Sequence, residues 1–217
     1  MKKMFIIILG FAGIFIGCNK ERVTGSGAIL TEQRGLNGFN TIYISGSTNV
    51  YVTKGLNYKV EVKGYENLLP YFEAEIDNNT LQLGYKNNVN VKNDNVEVFV
   101  TLPELKGLSL SGSGNITTTG NFEGNSSFQT NISGSGNIKF SEGTTKNYTS
   151  SITGSGNIKA FGLAAEHADI SISGSGNNEV NATGKLKVKI SGSGNVYYKN
   201  TPAITTTISG SGAVIPK

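Results

Sequence analysis

One glycine-rich phrase, in its usual form Ser-Gly-Ser-Gly-Asn, recurs through the second half of the chain. It occupies residues 111–115, 133–137, 173–177 and 191–195, with a Thr variant at 153–157 and a final copy at 209–213 that ends in Ala. The first glycines of successive copies lie 22, 20, 20, 18 and 18 residues apart. Such a fixed period near twenty residues is typical of a solenoid, in which every repeat adds one coil. A flexible Gly/Ser linker would show neither this period nor the β-branched residues beside each copy.

The residues on either side of the phrase predict strands. A large aliphatic residue precedes every copy, and a polar residue precedes that one, which is the alternation of a half-buried strand. The aliphatic positions are Leu110, Ile132, Ile152, Ile172, Ile190 and Ile208. An apolar residue also follows most copies, but Asn178 interrupts this second column. We expect Val180 to supply the buried group there through a local shift.

Each repeat therefore reads as strand, corner, strand. Glycine reaches the positive φ values that a sharp corner needs, and Asn tolerates them better than most residues. Corners that stack at one period also allow their Asn side chains to hydrogen-bond along the stack. The predicted corner residues are Gly112, Gly114, Asn115, Gly134, Gly136, Asn137, Gly154, Gly156, Asn157, Gly174, Gly176, Asn177, Gly192, Gly194, Asn195, Gly210 and Gly212.

The fold class predicted from this pattern is all-β, a parallel β-helix of about 20 residues per coil that rises about 4.8 Å per coil. The crossover preference of parallel strands favours the right-handed form. We expect one β-helix domain over residues 23–217, with regular coils from about residue 106 and a less regular N-terminal half.

The first half carries weaker copies of the phrase at Val23–Ile29 and Ile44–Val50. Because Gly46 and Gly112 lie about three periods apart, their spacing leaves room for two degenerate coils between them. Residues 55–105 are predicted to form extra coils or an antiparallel cap, with a helical turn at Glu66–Leu69 and a hairpin turn at Asp77-Asn78-Asn79.

The N-terminus reads as an export signal. Two lysines precede an apolar run at 4–16, which is shorter than the ~20 residues that a membrane span needs. Cys18 is the only cysteine, and it follows Gly17 where the apolar run stops. We expect residues 1–17 to be a lipoprotein signal peptide, Cys18 to carry the lipid, and residues 18–22 to form a short tether. The predicted location is the outer membrane, with the protein facing either the periplasm or the cell surface.

Charge and cysteine usage exclude several classes. The formal net charge is +4, and no basic tract occurs, so a nucleic-acid partner is not expected. With its one cysteine assigned to the lipid, the chain has no disulfides, and its core and backbone ladders must hold it together.

No residue pattern predicts catalysis, a metal site or a cofactor. Calcium-binding β-rolls carry Asp where these corners carry neutral Asn. His167, the only histidine, is expected in a solvated connecting turn, and the acidic residues of the repeats are scattered rather than paired. The acidic residues concerned are Glu123, Glu142, Glu166 and Glu179.

The outward positions after each corner are the best candidates for binding. Lys139, Lys159, Glu179 and Tyr197 should form one mixed outward column, which suits a solvated face or a polar binding surface. The possible binding residues are Lys139, Lys159, Tyr197 and Tyr198, because tyrosine rings can stack on a sugar.

From about Val23 to its end, the sequence resembles the bacterial family of the "putative auto-transporter adhesin, head GIN domain", found largely in Bacteroidetes lipoproteins. The resemblance rests on Arg34–Phe39, Leu68-Leu69, Val100–Leu105, the serial Gly-Ser-Gly-Asn bends and the stretch from Val196 to Gly212. It implies a right-handed β-helix on an exported, lipid-anchored protein, and it brings no catalytic residues.

The function expected from the sequence is that of a non-enzymatic, adhesin-like module at the cell envelope, attached to the membrane through its lipid and binding a glycan or protein. Two alternatives stay open at this point. One is a polysaccharide-processing enzyme of the β-helix type. The other is a scaffold that self-associates, since open coil ends are strand edges.

Overall fold

The computed structural model describes residues 21–217, and the predicted signal peptide and Cys18 lie outside these residues. Nineteen strands and one 3-10 turn make up the described chain. The strands are Glu21–Thr24 (β1), Ile29–Arg34 (β2), Thr41–Gly46 (β3), Asn49–Lys54 (β4), Lys59–Tyr65 (β5), Phe72–Asp77 (β6), Thr80–Tyr85 (β7), Val89–Lys92 (β8), Glu97–Leu102 (β9), Gly107–Gly112 (β10), Asn115–Thr119 (β11), Asn121–Gly134 (β12), Asn137–Lys139 (β13), Glu142–Gly154 (β14), Asn157–Gly174 (β15), Asn177–Gly192 (β16), Asn195–Lys199 (β17), Ala203–Ser209 (β18) and Ala213–Pro216 (β19).

The repeats stack as parallel coils, as predicted. Strands that precede the corner pair in the order β10, β12, β14, β15, β16, β18. The register joins equivalent residues of neighbouring coils, so that Ile152 lies between Ile132 and Ile172. The strands that follow the corner stack in the same way, with Ile138 between Ile116 and Ile158. The fold is therefore a parallel β-solenoid, and its right-handed sense stays a prediction.

Each regular coil has three straight runs, as the burial pattern of β15 shows. Alternate residues point inward from Ile158 to Ala160, but the next buried residue is Leu163, so the alternation breaks at Phe161-Gly162. A second break falls between Ala165 and Ala168. Since side chains on a straight strand alternate strictly, each break marks a bend of the coil in addition to the glycine corner. The apolar residues between these bends fill the interior.

Asn178 stays in the buried column that it was expected to leave. It pairs with Ile158 on one side and Val196 on the other, and it is fully buried. Val180 is buried at its own position, opposite Ala160. The predicted local shift was therefore wrong, because the coil keeps its register and buries the amide.

The first half does not follow chain order. The β3–β4 coil lies directly against the β10–β11 coil, with Gly46 opposite Gly112. The two degenerate coils for which the spacing leaves room therefore do not lie between these glycines. The 65 residues in between instead place β7 and β9 on the other side of β3 and β4, in parallel, as one further coil. The β3–β4 coil is thus sandwiched between two coils that come later in the chain.

Antiparallel strands complete this end of the solenoid. β5 pairs with β9, β2 with β5, and β6 with β7. β6 and β7 form a hairpin through Asn78-Asn79, whose φ values of 47° and 62° suit the two-residue turn predicted there. The predicted helical turn is a 3-10 turn at Leu69–Tyr71, which includes Pro70 rather than ending before it. Residues 55–105 therefore combine both predicted layouts, one extra coil and an antiparallel cap.

The first copy of the phrase, at Val23–Ile29, does not form a corner of the stacked coils. β1 pairs in parallel with β8 in a separate two-stranded sheet, so Val23–Ile29 does not lie on the corner of the solenoid. Gly25 lies one period before Gly46 in the sequence, but it does not stack on Gly46. β1 instead pairs along a complete four-residue ladder with β8, which lies 68 residues further along the chain.

The last coil is the least covered. β18 pairs with β16 and β19 pairs with β17, and each is the final strand of its stack. Ile208 continues the buried column of Ile190 yet is 41% exposed, whereas Ile190 is 1% exposed. Between residues 21 and 217, no helix is long and apolar enough to span a membrane.

Candidate functional site

The glycine corners are built for close stacking. Gly154 has a φ of 122°, and a Cβ on it would lie within 3.0 Å of the carbonyl oxygen of Gly134 in the coil before. Gly156 has an ordinary φ, but a Cβ there would meet the carbonyl oxygen of Gly136 and a methyl group of Ile132. Glycine is thus needed at position 154 because of both its positive φ and the close carbonyl oxygen, and at position 156 because of the close contacts alone. These predicted corner residues have a structural role.

A ladder of asparagine side chains runs along the corners. Each amide nitrogen donates to the Oδ1 of the Asn one coil earlier, over distances of 2.8 to 3.3 Å. The ladder comprises Asn49, Asn115, Asn137, Asn157, Asn177 and Asn195. Because the four inner side chains both donate and accept within the ladder, these amides stabilise the stack. The ladder confirms the predicted hydrogen bonding along the axis.

Beside the ladder lies the predicted outward column. Lys139 and Lys159 are paired residues of adjacent coils, and both are exposed. Glu179 and Tyr197 continue the column. A shallow depression of about 350 Å3 runs between the two lysines and the asparagine ladder. The column therefore places the exposed ammonium groups of Lys139 and Lys159 next to the asparagine ladder.

The two tyrosines of the last coils do not act together. Tyr197 lies in the outward column, and the Nζ of Lys217 lies 5.0 Å from the centre of its ring. Tyr198 pairs with the buried Val180 and packs against the core. Only Tyr197 therefore shares a face with Lys139 and Lys159.

A larger cleft lies elsewhere, in the irregular half. It has a volume of about 530 Å3 and is bounded by the corner before β4, by Lys63 of β5 and by the segment 94–97. Its polar lining comprises Ser47, Asn49, Lys63, Asp94, Asn95 and Glu97. A second cleft of about 490 Å3 lies on the other side of Ser47 and Asp94 and reaches Tyr85 and Asn87. We call the pair the Asp94 clefts.

Asp94 is held firmly between the two clefts. Its Oδ1 accepts hydrogen bonds from the Tyr85 hydroxyl at 2.6 Å and from the Val96 backbone N–H at 2.9 Å. Burial, together with this carboxylate, raises the pKa of Tyr85 well above its usual value of 10, so the hydroxyl stays a donor. The carboxylate is therefore oriented, with its position fixed from two sides.

Glu97 is placed by an aromatic pair. The Tyr51 hydroxyl donates to Glu97 Oε1 at 3.1 Å, and the Tyr51 ring stacks on Phe99 with a centroid distance of 5.2 Å. This hydrogen bond raises the pKa of Tyr51. The larger cleft is thus lined by the carboxylates of Asp94 and Glu97 and by the ammonium group of Lys63, beside hydroxyl and amide groups.

Sequence reasoning missed this cleft. Asp94 and Glu97 come together with Lys63 because the chain after β7 folds back over the Ser45–Ser47 corner. The one signal in the sequence is the asparagine-rich stretch at 87–95, which interrupts the strand pattern.

His167 was expected in a connecting turn, and this prediction was wrong. It lies within β15, between Asn147 and Lys185 of the neighbouring coils. Its Nε2 is 3.7 Å from a carboxylate oxygen of Glu166, and both side chains are substantially exposed. Nearby, Lys187 forms a 2.9 Å salt bridge with Asp169. Over residues 21–217, no three His, Cys, Asp or Glu side chains gather closely enough to hold a metal ion.

Stacked parallel coils with glycine corners define the class, a parallel β-solenoid. Residues 38–202 match the model of the family "putative auto-transporter adhesin, head GIN domain". The chain belongs to this family, as its sequence resemblance predicted. No curated protein matches the chain significantly.

Solved structures share the fold. A putative adhesin from Bacteroides fragilis is 22% identical with a TM-score of 0.71, covering 90% of this chain and 100% of that one. A putative lipid binding protein from Parabacteroides distasonis is 24% identical with a TM-score of 0.64, covering 91% and 100% of the two chains. A putative adhesin from Parabacteroides merdae is 25% identical with a TM-score of 0.55, covering 91% and 99%.

Proposed function

We propose that this protein is a lipid-anchored, non-enzymatic binding module of the cell envelope that takes a glycan in the Asp94 clefts. The observation that carries the proposal is the lining of the larger cleft. Two oriented carboxylates, a lysine, two asparagine amides and the Ser47 hydroxyl line a volume of about 530 Å3, together with Ile29 and Val96. Ligands rich in hydroxyl groups are recognised by such donors and acceptors.

The family and its relatives support an interaction role. The family is that of a "putative auto-transporter adhesin", and two of the similar structures are named putative adhesins. One relative is named a putative lipid binding protein. The charged and amide groups in the lining favour a sugar over an acyl chain in this protein, because burying them against hydrocarbon would leave them without partners.

A glycan array tests the binding proposal. Asp94→Asn keeps an oxygen for Tyr85 and Val96 but removes the charge, and Lys63→Gln removes the ammonium. We expect each variant to weaken glycan binding about tenfold or more, on the scale of a hydrogen bond to a charged group. The matched control is Lys139→Gln with Lys159→Gln, which changes the outward column alone. Binding that depends on this pair and ignores Lys63 and Asp94 would move the site to the column.

A polysaccharide-processing enzyme is the second candidate, because Asp94 and Glu97 line one cleft. Glycoside hydrolysis uses two carboxylates on opposite sides of the scissile bond. The binding proposal predicts no new reducing ends or unsaturated products from polysaccharides that the protein binds. Turnover that Asp94→Asn and Glu97→Gln both abolish, while Glu179→Gln does not, would establish the enzyme instead.

The membrane anchor in this proposal is a lipid on Cys18, after removal of residues 1–17. Cys18→Ser should release the protein from the membrane pellet, because serine has no thiol that could carry the lipid. Recovery of the processed mutant in the pellet would contradict the anchor. Added protease that degrades the native protein on whole cells would place it at the surface, and protection would place it in the periplasm.

A further inference from the structure

The final strand before the last corner presents an open edge. β18 pairs with β16 along Ala203–Ser209, and among residues 21–217 no strand pairs with its other side. All seven residues are exposed, including Ile204 and Ile208 of the inward columns. An edge of this kind offers a row of free backbone N–H and C=O groups to another strand.

This edge lacks the protection that natural sheets give to exposed strands. The neighbouring strand β16 carries Lys185, Lys187 and Lys189. If β16 were the edge, these lysines would repel the same lysines of a second copy. β18 has no charged residue and no proline. β19, on the same coil, ends at Pro216, which cannot donate to a ladder. Of the two terminal strands, only β18 is thus free of charge and proline.

The sequence of β18 is self-complementary. Residues 204–208 read Ile-Thr-Thr-Thr-Ile, which is the same in both directions about Thr206. In an antiparallel pair centred on Thr206, Ile204 of one copy lies opposite Ile208 of the other. Ile204 and Ile208 sit on the inward side of the coil, so each copy would cover the other's exposed core.

We propose that two copies of this protein associate through β18, edge to edge and antiparallel, about a two-fold axis at Thr206. The pairing joins two solenoids at their last coils and adds one hydrogen-bonded ladder between them. It places no like charges opposite each other, since β18 has none. This assembly stands independently of the glycan site, which lies at the opposite end of the stack.

Disulfide trapping in the full-length protein, purified from membranes in detergent, tests the register. Residues directly opposite in an antiparallel pair have Cα atoms about 4.5–5.5 Å apart, within disulfide range. Thr206→Cys should therefore give a cross-linked dimer on mild oxidation. Thr205→Cys is the matched control on the same strand, because its two copies would lie about 8 Å apart, beyond that range.

A second pair of substitutions tests the interface without cysteines. Thr205→Glu with Thr207→Glu places carboxylates beside Lys187 and Lys189 of the strand below, so the fold should tolerate it, and it places glutamates opposite glutamates across the axis. We expect the dimer dissociation constant, measured by sedimentation, to rise about tenfold or more, with an unchanged melting temperature.

The outcomes separate cleanly. A dimer that Thr206→Cys traps, that Thr205→Cys does not trap and that the glutamate pair weakens supports the proposal. A native protein that stays monomeric at high concentration would overturn it. Equal trapping at 205 and 206, or assemblies that grow beyond dimers, would also overturn the two-fold pairing.

Discussion

The side-chain amide of Asn178 donates to the hydroxyl of Ser150 at 2.6 Å in the middle of the solenoid core. Ser150 in turn accepts from Thr130 at 3.0 Å, and Thr130 lies 2.7 Å from the hydroxyl of Tyr148. All four side chains are buried. A polar chain thus crosses three coils inside the solenoid, and the Oδ1 of Asn178 has no hydrogen-bond partner in it.

Replacing Asn178 should not destabilise the protein. Asn178→Val restores the aliphatic column between Ile158 and Val196 and removes a buried oxygen that lacks a partner. We expect the free energy of unfolding to rise by about 1 kcal/mol. Urea denaturation measures it.

The matched variant is Ser150→Ala, which leaves the amide of Asn178 and the hydroxyl of Thr130 without their acceptor. This change should lower the free energy of unfolding by about 1–3 kcal/mol. A loss for Asn178→Val as large as that for Ser150→Ala would show that the amide stabilises the core.

Adding a single side-chain carbon to a corner glycine should destabilise the fold. Gly154→Ala adds a Cβ within 3.0 Å of the Gly134 carbonyl oxygen at a φ of 122°. We expect it to lower the unfolding free energy by about 2 kcal/mol or more. Gly35→Ala is the control, because no atom lies within 4 Å of the added carbon. Equal urea midpoints for the two variants would contradict the required close stacking.

Alkali should unfold the protein partly through Tyr148. Burial raises the pKa of this hydroxyl in the folded state, so the folded protein keeps its proton where the unfolded chain loses it. This contribution to stability is complete below pH ~10 and is lost as the pH rises, by about 1.4 kcal/mol per pH unit for one proton.

Tyr148→Phe removes that proton. The variant should be less stable at neutral pH by about 1 kcal/mol, because Thr130 loses a partner, yet its stability should fall less steeply above pH ~10. Denaturant titrations at several pH values measure both effects. Parallel curves for the two proteins would mean that Tyr148 does not report on alkaline unfolding.

The stack should be independent of calcium. The ladder positions are neutral amides that already bond to one another, whereas Ca2+ prefers charged oxygens. We expect the same melting temperature with EDTA and with millimolar Ca2+. A shift of about 3 °C or more, equivalent to about 1 kcal/mol for a domain of this size, would indicate a metal site.

The regular half of the fold was predictable because its repeats are local in sequence. Ile152 and Ile172 occupy equivalent places in equivalent phrases, and the register joins them. The position of Asn178 shows the limit of residue-type reasoning, since a polar side chain was expected to leave a column that the backbone ladder holds in place.

The order of the first coils could not be predicted from spacing. Gly46 and Gly112 carry the same phrase whether they stack directly or with coils between them, so their separation fits either arrangement. The Asp94 clefts were missed for a related reason. Lys63, Asp94 and the Ser47 corner meet only through tertiary folding, and none of them belongs to a repeated column.

The insertion of the β3–β4 coil between later segments has a consequence for how the chain folds. Coils from β12 onward contact neighbours about twenty residues away, so each can form on a coil that already exists. The β3–β4 coil finds both of its partners much later in the chain, which requires long loops to close first. We therefore expect the segment from β2 to β11 to fold as a single cooperative unit, and this unit to set the rate at which the whole solenoid appears.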